Sequence, residues 1–276
     1  MKYIPRVAAI QDLSCFGRCS LSVIIPILSH MKVQVCPVPT AVFSTHTGGF
    51  GTPVKTDLTG MMHGLIEHWQ EVGVQFDCIY SGFLSSAAQI EEVLNFFEVF
   101  KEKEKTLIVV DPVMGDHGKL YKTYNEKMQQ KMKHLVERAD VITPNWTEAS
   151  FLLHRPYSIE SITEEEIKSI VKALAEMGPR QIVLKGVPYE QGQKVNVIYD
   201  QSTNEFGIIP YEEIPQNYPG TGDCFTSRLI GALLQQVTLL DATKQATSFV
   251  TLGVKATYEA GTDTREGILL ENLLDF

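Results

Sequence analysis

Short apolar, β-branched runs alternate with longer helix-periodic segments along most of this chain, and that alternation restricts the fold more than any other feature. The runs at 7–10, 34–37, 78–80, 107–110, 141–142 and 182–184 are brief, apolar and bounded by polar or turn residues, as strands buried on both faces are. Between them, 21–29, 58–72, 87–100, 125–138 and 164–177 carry helical periodicity. Ser161-Ile162-Thr163-Glu164 fits a capping box for the last of these, and Gly178-Pro179 stops it. Such alternation implies an α/β fold: a central, mostly parallel sheet with helices on both faces. Two segments depart from it. Residues 195–199 and 205–209 flank a polar turn and predict an antiparallel hairpin at the sheet edge, while 44–52 is a polar, glycine-rich stretch after a strand.

With 276 residues and no Pro/Gly/Ser-rich linker, one domain spanning 1–276 is expected. A formal charge of −9 argues against nucleic acid as a partner. It leaves phosphate substrates open, because a few donors and a magnesium ion can reverse the field locally. Five cysteines without paired spacing suggest reduced thiols and a cytoplasmic protein. Cys15 and Cys19 could meet on a helix, but no His or Cys completes a metal site around them. The apolar run at 7–10 is too short for a signal peptide, and Pro26 interrupts 21–28, so no membrane segment is expected. The charge run 101–105 reads as a solvated helix end.

In open parallel sheets, ligands bind beyond the carboxyl ends of the strands. The polar residues there are Gln11-Asp12, 44–47, Ser81-Gly82-Phe83, Asp111-Pro112, Thr143-Pro144-Asn145 and Lys185-Gly186. Asp111 is placed to meet a cation or phosphate, or else to cap the following turn. Residues 117–121 read as a polar loop able to carry Asp116 and Tyr121 over bound phosphates as a flap. Asn145 fits an N-cap with Glu148 three residues on; Glu148 can complete a capping box, orient magnesium, or do both. Lys185, directly after a buried strand, suits a nucleotide phosphate. His46-Thr47-Gly48 can hold an acceptor molecule, although a lone histidine is more often a hydrogen-bonded structural residue. Finally, Pro219-Gly220-Thr221-Gly222-Asp223-Cys224-Phe225 opens a helix reaching about residue 235. Its unpaired N–H groups favour an anion, so a carboxylate among them suits a phosphoryl group in flight: donors for its charge, and a base for the attacking hydroxyl.

Four strings, in this order and at these separations, resemble the pyridoxal (pyridoxine/pyridoxamine) kinase family of the ribokinase superfamily. They are Phe-Ser-Thr-His-Thr-Gly (43–48), Asp-Pro-Val-Met-Gly-Asp (111–116), Thr-Pro-Asn-Trp-Thr-Glu (143–148) and Gly-Thr-Gly-Asp (220–223). The resemblance covers essentially the whole chain, including 80–84 and the tail 264–267. It implies a ribokinase-like fold and MgATP-dependent phosphorylation of a hydroxymethyl group on a pyridine ring, with ATP as co-substrate and potassium as an optional further cation. It implies Asp223 as the base and the amides of Gly220, Thr221 and Gly222 as the anion hole. Asp111, Asp116 and Glu148 would serve magnesium and the ATP phosphates, with Thr143, Asn145, Lys185 and Tyr121 nearby and Gln216, Asn217, Tyr218 and Pro219 along the nucleotide. His46, Thr47, Gly48 and Phe83 would line the pyridine pocket. A homodimer is also implied. One departure stands out: where the family usually has Ser after Ile-Gln, this chain has Asp12, which could pair with a protonated ring nitrogen or an amine, with Ser14 as a substitute hydroxyl. Hydroxymethylpyrimidine kinases, many of which carry Cys where Asp223 stands, and a non-catalytic vitamer-binding protein are the alternatives. A sugar kinase lacks the 43–48 string, and a dehydrogenase would need a Gly-x-Gly-x-x-Gly after the first strand.

Overall fold

A computed structural model describes residues 3–102, 105–122 and 124–274. The chain opens with β1 (Arg6–Ser14), α1 (Leu21–His30), β2 (Gln34–Phe43) and β3 (Lys55–Asp57), then α2 (Thr59–Val72), β4 (Cys78–Ser81), α3 (Ala87–Phe100) and β5 (Leu107–Val110). A small hairpin of β6 (Gly115–Asp116) and β7 (Lys119–Leu120) precedes α4 (Glu126–Arg138), β8 (Val141–Ile142), α5 (Trp146–Leu152) and α6 (Glu164–Ala175). The last part comprises β9 (Gln181–Pro188), β10 (Lys194–Asp200), β11 (Glu205–Pro210), α7 (Thr221–Leu234) and α8 (Leu239–Ala260).

Nine strands form one sheet in the order β11-β10-β9-β8-β5-β4-β1-β2-β3. The six from β9 to β2 are parallel, and the 195–199/205–209 hairpin closes one edge antiparallel to β9, as expected. Successive strand residues serve opposite layers. Ala8 and Ile10 face the core beneath α2 to α6, whereas Val7 and Ala9 face the core beneath α1, α7 and α8. Each fully buried Val or Ile on these faces is worth about 1.5–3 kcal/mol of transfer free energy, so register is firmly held.

Several local expectations are corrected. Residues 11–14 are extended, because β1 continues along β2 and the Cys15 N–H reaches the Phe43 carbonyl at 2.8 Å. Cys15 and Cys19 therefore share no helix; Cys15 is exposed, Cys19 is buried, and all five cysteines are free thiols. The capping box of α6 uses Thr163 and Glu166 instead of Ser161 and Glu164, since Thr163 has the extended N-cap backbone and bonds the Glu166 N–H. Residues 117–121 are not an open loop: β6 and β7 pair antiparallel across a turn. Helix α3 ends at Phe100, and residues 103–104 of the charge run lie outside the described residues.

Two elements went unread. Strand β3 is exposed along its length. Helix α8 buries Leu239, Ala242, Thr243, Ala246, Thr247, Gly253 and Thr257, a face mostly of small and polar residues that weakens its apolar periodicity. Two of its threonines bond inside the helix, Thr247 and Thr257 donating to the carbonyls of Thr243 and Gly253 at 2.8 and 2.7 Å.

Candidate active site

The carboxyl ends of β1, β4, β5, β8 and β9 converge on the N-terminus of α7. Gly220 precedes that helix with φ 79°, and a Cβ on it would lie 2.2 Å from the Arg18 carbonyl oxygen and 2.8 Å from Cys19 Cα. Only glycine lets the turn close onto the loop that carries Ser20. Gly220→Ala should therefore cost about 2 kcal/mol or more, through its left-handed backbone and the displaced loop. A fall in Tm checks this; an unchanged Tm would contradict it.

Asp223, in the first turn of α7, is held on both oxygens. Its Oδ1 accepts from Gln11 Nε2 at 3.0 Å and its Oδ2 from the Ser20 N–H at 2.7 Å. Removal from solvent, with the charges of Asp111 and Asp12 beside it, pushes its pKa up to about 7 against the opposing Ser20 N–H and Lys185. Gln11 is fully buried, and its Oε1 accepts from the Phe83 N–H at 2.7 Å. It fits only because residue 82 is glycine: a Cβ there would come within 1.9 Å of Gln11 Nε2.

Asp111, at the end of β5, pairs with Lys185 of β9 at 3.2 Å and accepts from Thr226 Oγ1 at 3.3 Å. Gly222 adjoins them, its would-be Cβ 3.6 Å from Lys185 Nζ. Glu148 completes a capping box on α5, taking the N–H groups of Asn145 at 2.7 Å and Met114 at 3.2 Å. Burial, then the nearby Asp111 charge, drives its carboxyl well above the usual range. Asn145 also donates to the Gly115 carbonyl at 3.0 Å, tying the β6/β7 hairpin to the site.

These groups open onto a cleft of about 550 Å³. Asp111, Asp116, Tyr121, Asn145, Glu148, Lys185, residues 216–219 and residues 220–223 all line it. His117 and Asn217 meet at 3.3 Å, linking the hairpin to the 216–219 segment, and Tyr121 is partly exposed. Thr143 is the exception: fully buried, it pairs with Thr226 at 3.1 Å instead of facing the cleft. Gln11, Ser20 and Thr226 were not singled out as site residues. Only Gln11 carried a sequence signal, as the first polar residue after a buried run, while Ser20 contributes a backbone N–H that no side-chain pattern reveals. Tyr211 and the Thr247–Val254 wall of the cleft were also missed, the latter because α8 itself was.

The residues expected around a pyridine ring lie outside this cleft, beyond Asp223. Phe83 is half-buried with its ring edge-on to Phe43 at 6.2 Å, and Thr47 and Gly48 are exposed. His46 has both nitrogens engaged: Nδ1 accepts from the Gly48 N–H at 3.0 Å, so the Nε2–H donates to the Arg265 carbonyl at 2.6 Å. This is the structural alternative for that histidine, and no ring nitrogen is left for a ligand. Asp12 is 5 % exposed and its oxygens accept from Ser20 Oγ at 2.7 Å and Ser14 Oγ at 2.9 Å, so both Asp12 and Ser14 are bonded into the fold.

Asp111, Glu148 and Asp223 thus gather three carboxylates around Lys185. Among the described residues no group of three or more His, Cys, Asp or Glu side chains is placed to hold a metal alone. The pair of Asp111 and Glu148 suits magnesium, which takes one or two carboxylates and completes its shell with water and substrate oxygens.

A sequence model described as phosphomethylpyrimidine kinase matches residues 26–267. The chain belongs to the phosphomethylpyrimidine kinase family. Among solved structures, a Bacteroides thetaiotaomicron protein provisionally assigned as a phosphomethylpyrimidine kinase, in a crystal form with pyridoxal, is 43 % identical with a TM-score of 0.94, over 99 % of this chain and 95 % of that one. The pyridoxal kinase of Lactobacillus plantarum is 30 % identical with a TM-score of 0.89, over 99 % and 96 %. Pyridoxal kinase PdxY of Pseudomonas putida (strain GB-1) is 28 % identical over 263 residues, spanning 92 % of this chain and 87 % of its own. The ribokinase-like fold implied by the four strings is the fold found. In this phosphomethylpyrimidine kinase family member, as the described residues show, no helix is long and apolar enough to cross a membrane.

Proposed function

We propose that this protein is an ATP-dependent kinase that phosphorylates the hydroxymethyl group of pyridoxal, pyridoxine or pyridoxamine, with 1–276 acting as one kinase domain. The observation that carries this reading is Asp223: a carboxylate with proton affinity near neutrality, at a helix N-terminus, on the wall of a nucleotide-sized cleft. The kinship with a pyridoxal-bound protein and with pyridoxal kinases supplies the substrate class.

ATP occupies the cleft between the 216–219 segment and α8, with its terminal phosphate toward Lys185 and the 220–222 amides. Asp223 takes the proton of the acceptor's primary alcohol as the alcohol oxygen bonds to the transferred phosphorus, and ADP leaves. Gly220, Thr221 and Gly222 present N–H groups to the charge that spreads over the phosphoryl oxygens. Asp111 and Glu148 would hold magnesium, directly or through water, and the ion would neutralise phosphate charge there. Lys185 holds Asp111 in place. A potassium requirement and a homodimer rest on the family resemblance, and a cytoplasmic location on the cysteines without paired spacing.

The family description favours a second reading, phosphorylation of hydroxymethylpyrimidine or its phosphate. The acidic acceptor side, with Asp12 and Asp223, suits a neutral or cationic acceptor better than one already phosphorylated. ATP consumption with each B6 vitamer and with hydroxymethylpyrimidine separates the two; turnover restricted to the pyrimidine would overturn the first. The base must be ionised, so kcat/KM for pyridoxal should fall as pH drops through about 7, approaching tenfold per pH unit below it. A flat profile between pH 5.5 and 7.5 would remove Asp223 from that role.

A further inference from the structure

We propose that Asp12 is a positioning residue: through the Ser20 hydroxyl it holds a strained peptide that aims the Ser20 N–H at Asp223. The inference rests on the reading of Asp223 as base. Asp12 sits where the pairing of β1 with β2 shifts register, between Gln11 and Leu13. Such irregularities beside a site re-aim side chains. Both of its oxygens are engaged, Oδ1 by Ser20 Oγ at 2.7 Å and Oδ2 by Ser14 Oγ at 2.9 Å. Only a carboxylate offers two separate acceptor oxygens for two hydroxyls; an amide would supply one.

Ser20 adopts φ 52° and ψ −138°, a conformation that glycine takes freely and other residues take only when their surroundings enforce it. It occupies the N-cap of α1, where a serine hydroxyl normally accepts from the first-turn amides, yet it makes no side-chain cap bond. That hydroxyl is spent on Asp12 instead. In the same conformation the Ser20 N–H meets Asp223 Oδ2 at 2.7 Å. One residue therefore connects two carboxylates that do not touch, its hydroxyl serving one and its amide the other. The forgone cap and the strained backbone are both explained if the gain is a fixed orientation of the base.

Ser20→Ala and Ser20→Gly both delete the hydroxyl, but only glycine tolerates this backbone without the clamp. Ser20→Ala should lower kcat about tenfold and leave KM for pyridoxal within about twofold. Ser20→Gly should retain several-fold more kcat than Ser20→Ala, and the Asp12→Ala/Ser20→Gly double variant several-fold more than Asp12→Ala. Equal kcat for the Ala and Gly variants overturns the proposal. So does an Asp12→Ala effect confined to KM, which would make Asp12 a substrate ligand. If the wild type phosphorylates no vitamer, the kinase reading fails, and crystal structures of the variants decide the positioning claim. A hydrogen bond from the residue 20 amide to Asp223 that persists in Ser20→Gly and is lost in Ser20→Ala supports it; persistence in both overturns it.

Discussion

Asp223→Asn is expected to lower kcat about 10²–10⁴-fold, the usual worth of a positioned general base, with nucleotide affinity little changed. The amide keeps the size of the side chain and can still accept from Gln11 or Ser20, so the turn should stay folded. The same substitution should also stabilise the protein at neutral pH. Burial pushes the Asp223 carboxyl up to about 7 from its ordinary 3.8. The folded state therefore holds the proton more tightly than the unfolded chain, and stability falls as pH rises from about 4 to 7 as that advantage is lost. Asn carries no such penalty. Thermal melts at pH 5 and pH 8 should show the variant gaining on the wild type at the higher value. A lower Tm at pH 8, or turnover within about tenfold of wild type, would refute the account of Asp223 as a strained base.

Lys185→Ala should be the second large effect, because it strikes stability and catalysis together. Its side chain is 13 % exposed and that of Asp111 only 4 %, and the two lie 3.2 Å apart. Removing the lysine leaves a carboxylate buried beside Glu148 and Asp223 with its ammonium partner gone. Deleting one member of a buried pair costs about 3–5 kcal/mol, and the openness of the cleft to water places this case toward the lower figure. The kinetic loss should reach about 10²-fold or more in kcat/KM for ATP, since a cation aimed at the transferred phosphoryl group is lost. Adding Asp111→Asn separates the contributions: the double variant should recover much of the Tm but none of the activity. Recovery of activity along with Tm would mean that Lys185 serves only to hold the fold.

Asp111, Asn145, Lys185 and residues 220–223 line one cleft, and the first three follow directly from strand ends. A buried strand is a continuous apolar run, and the polar residue that ends it must face the edge where the helices leave the sheet. Asp111, Asn145 and Lys185 are legible for that reason, and the fold class follows from the same alternation. Thr143 belongs to such a cluster, yet its hydroxyl turns inward to Thr226, a choice set by α7 packing over the sheet. The wall formed by α8 was missed because, Leu239 aside, its fully buried residues are Ala, Thr and Gly, which carry little hydrophobic signal.

The acceptor side shows the opposite balance. Asp12, Ser14 and His46 are polar residues near a strand end, and by sequence alone each could face a ligand. His46 is bonded to Arg265, far along the chain, while Asp12 is bonded to Ser14 and Ser20 by the way the 15–20 loop folds back over β1, and neither encounter shows in the residue pattern. By itself, then, the sequence determined the parallel sheet, its helices and the Gly220–Asp223 turn, since these follow from local periodicity and backbone freedom. Only the tertiary structure decided which polar groups remain free for chemistry. That depends on which donors and acceptors satisfy one another once burial makes an unpaired group costly. The Ser20 amide is the clearest case, a backbone group turned by Asp12 toward the one carboxylate that needs it.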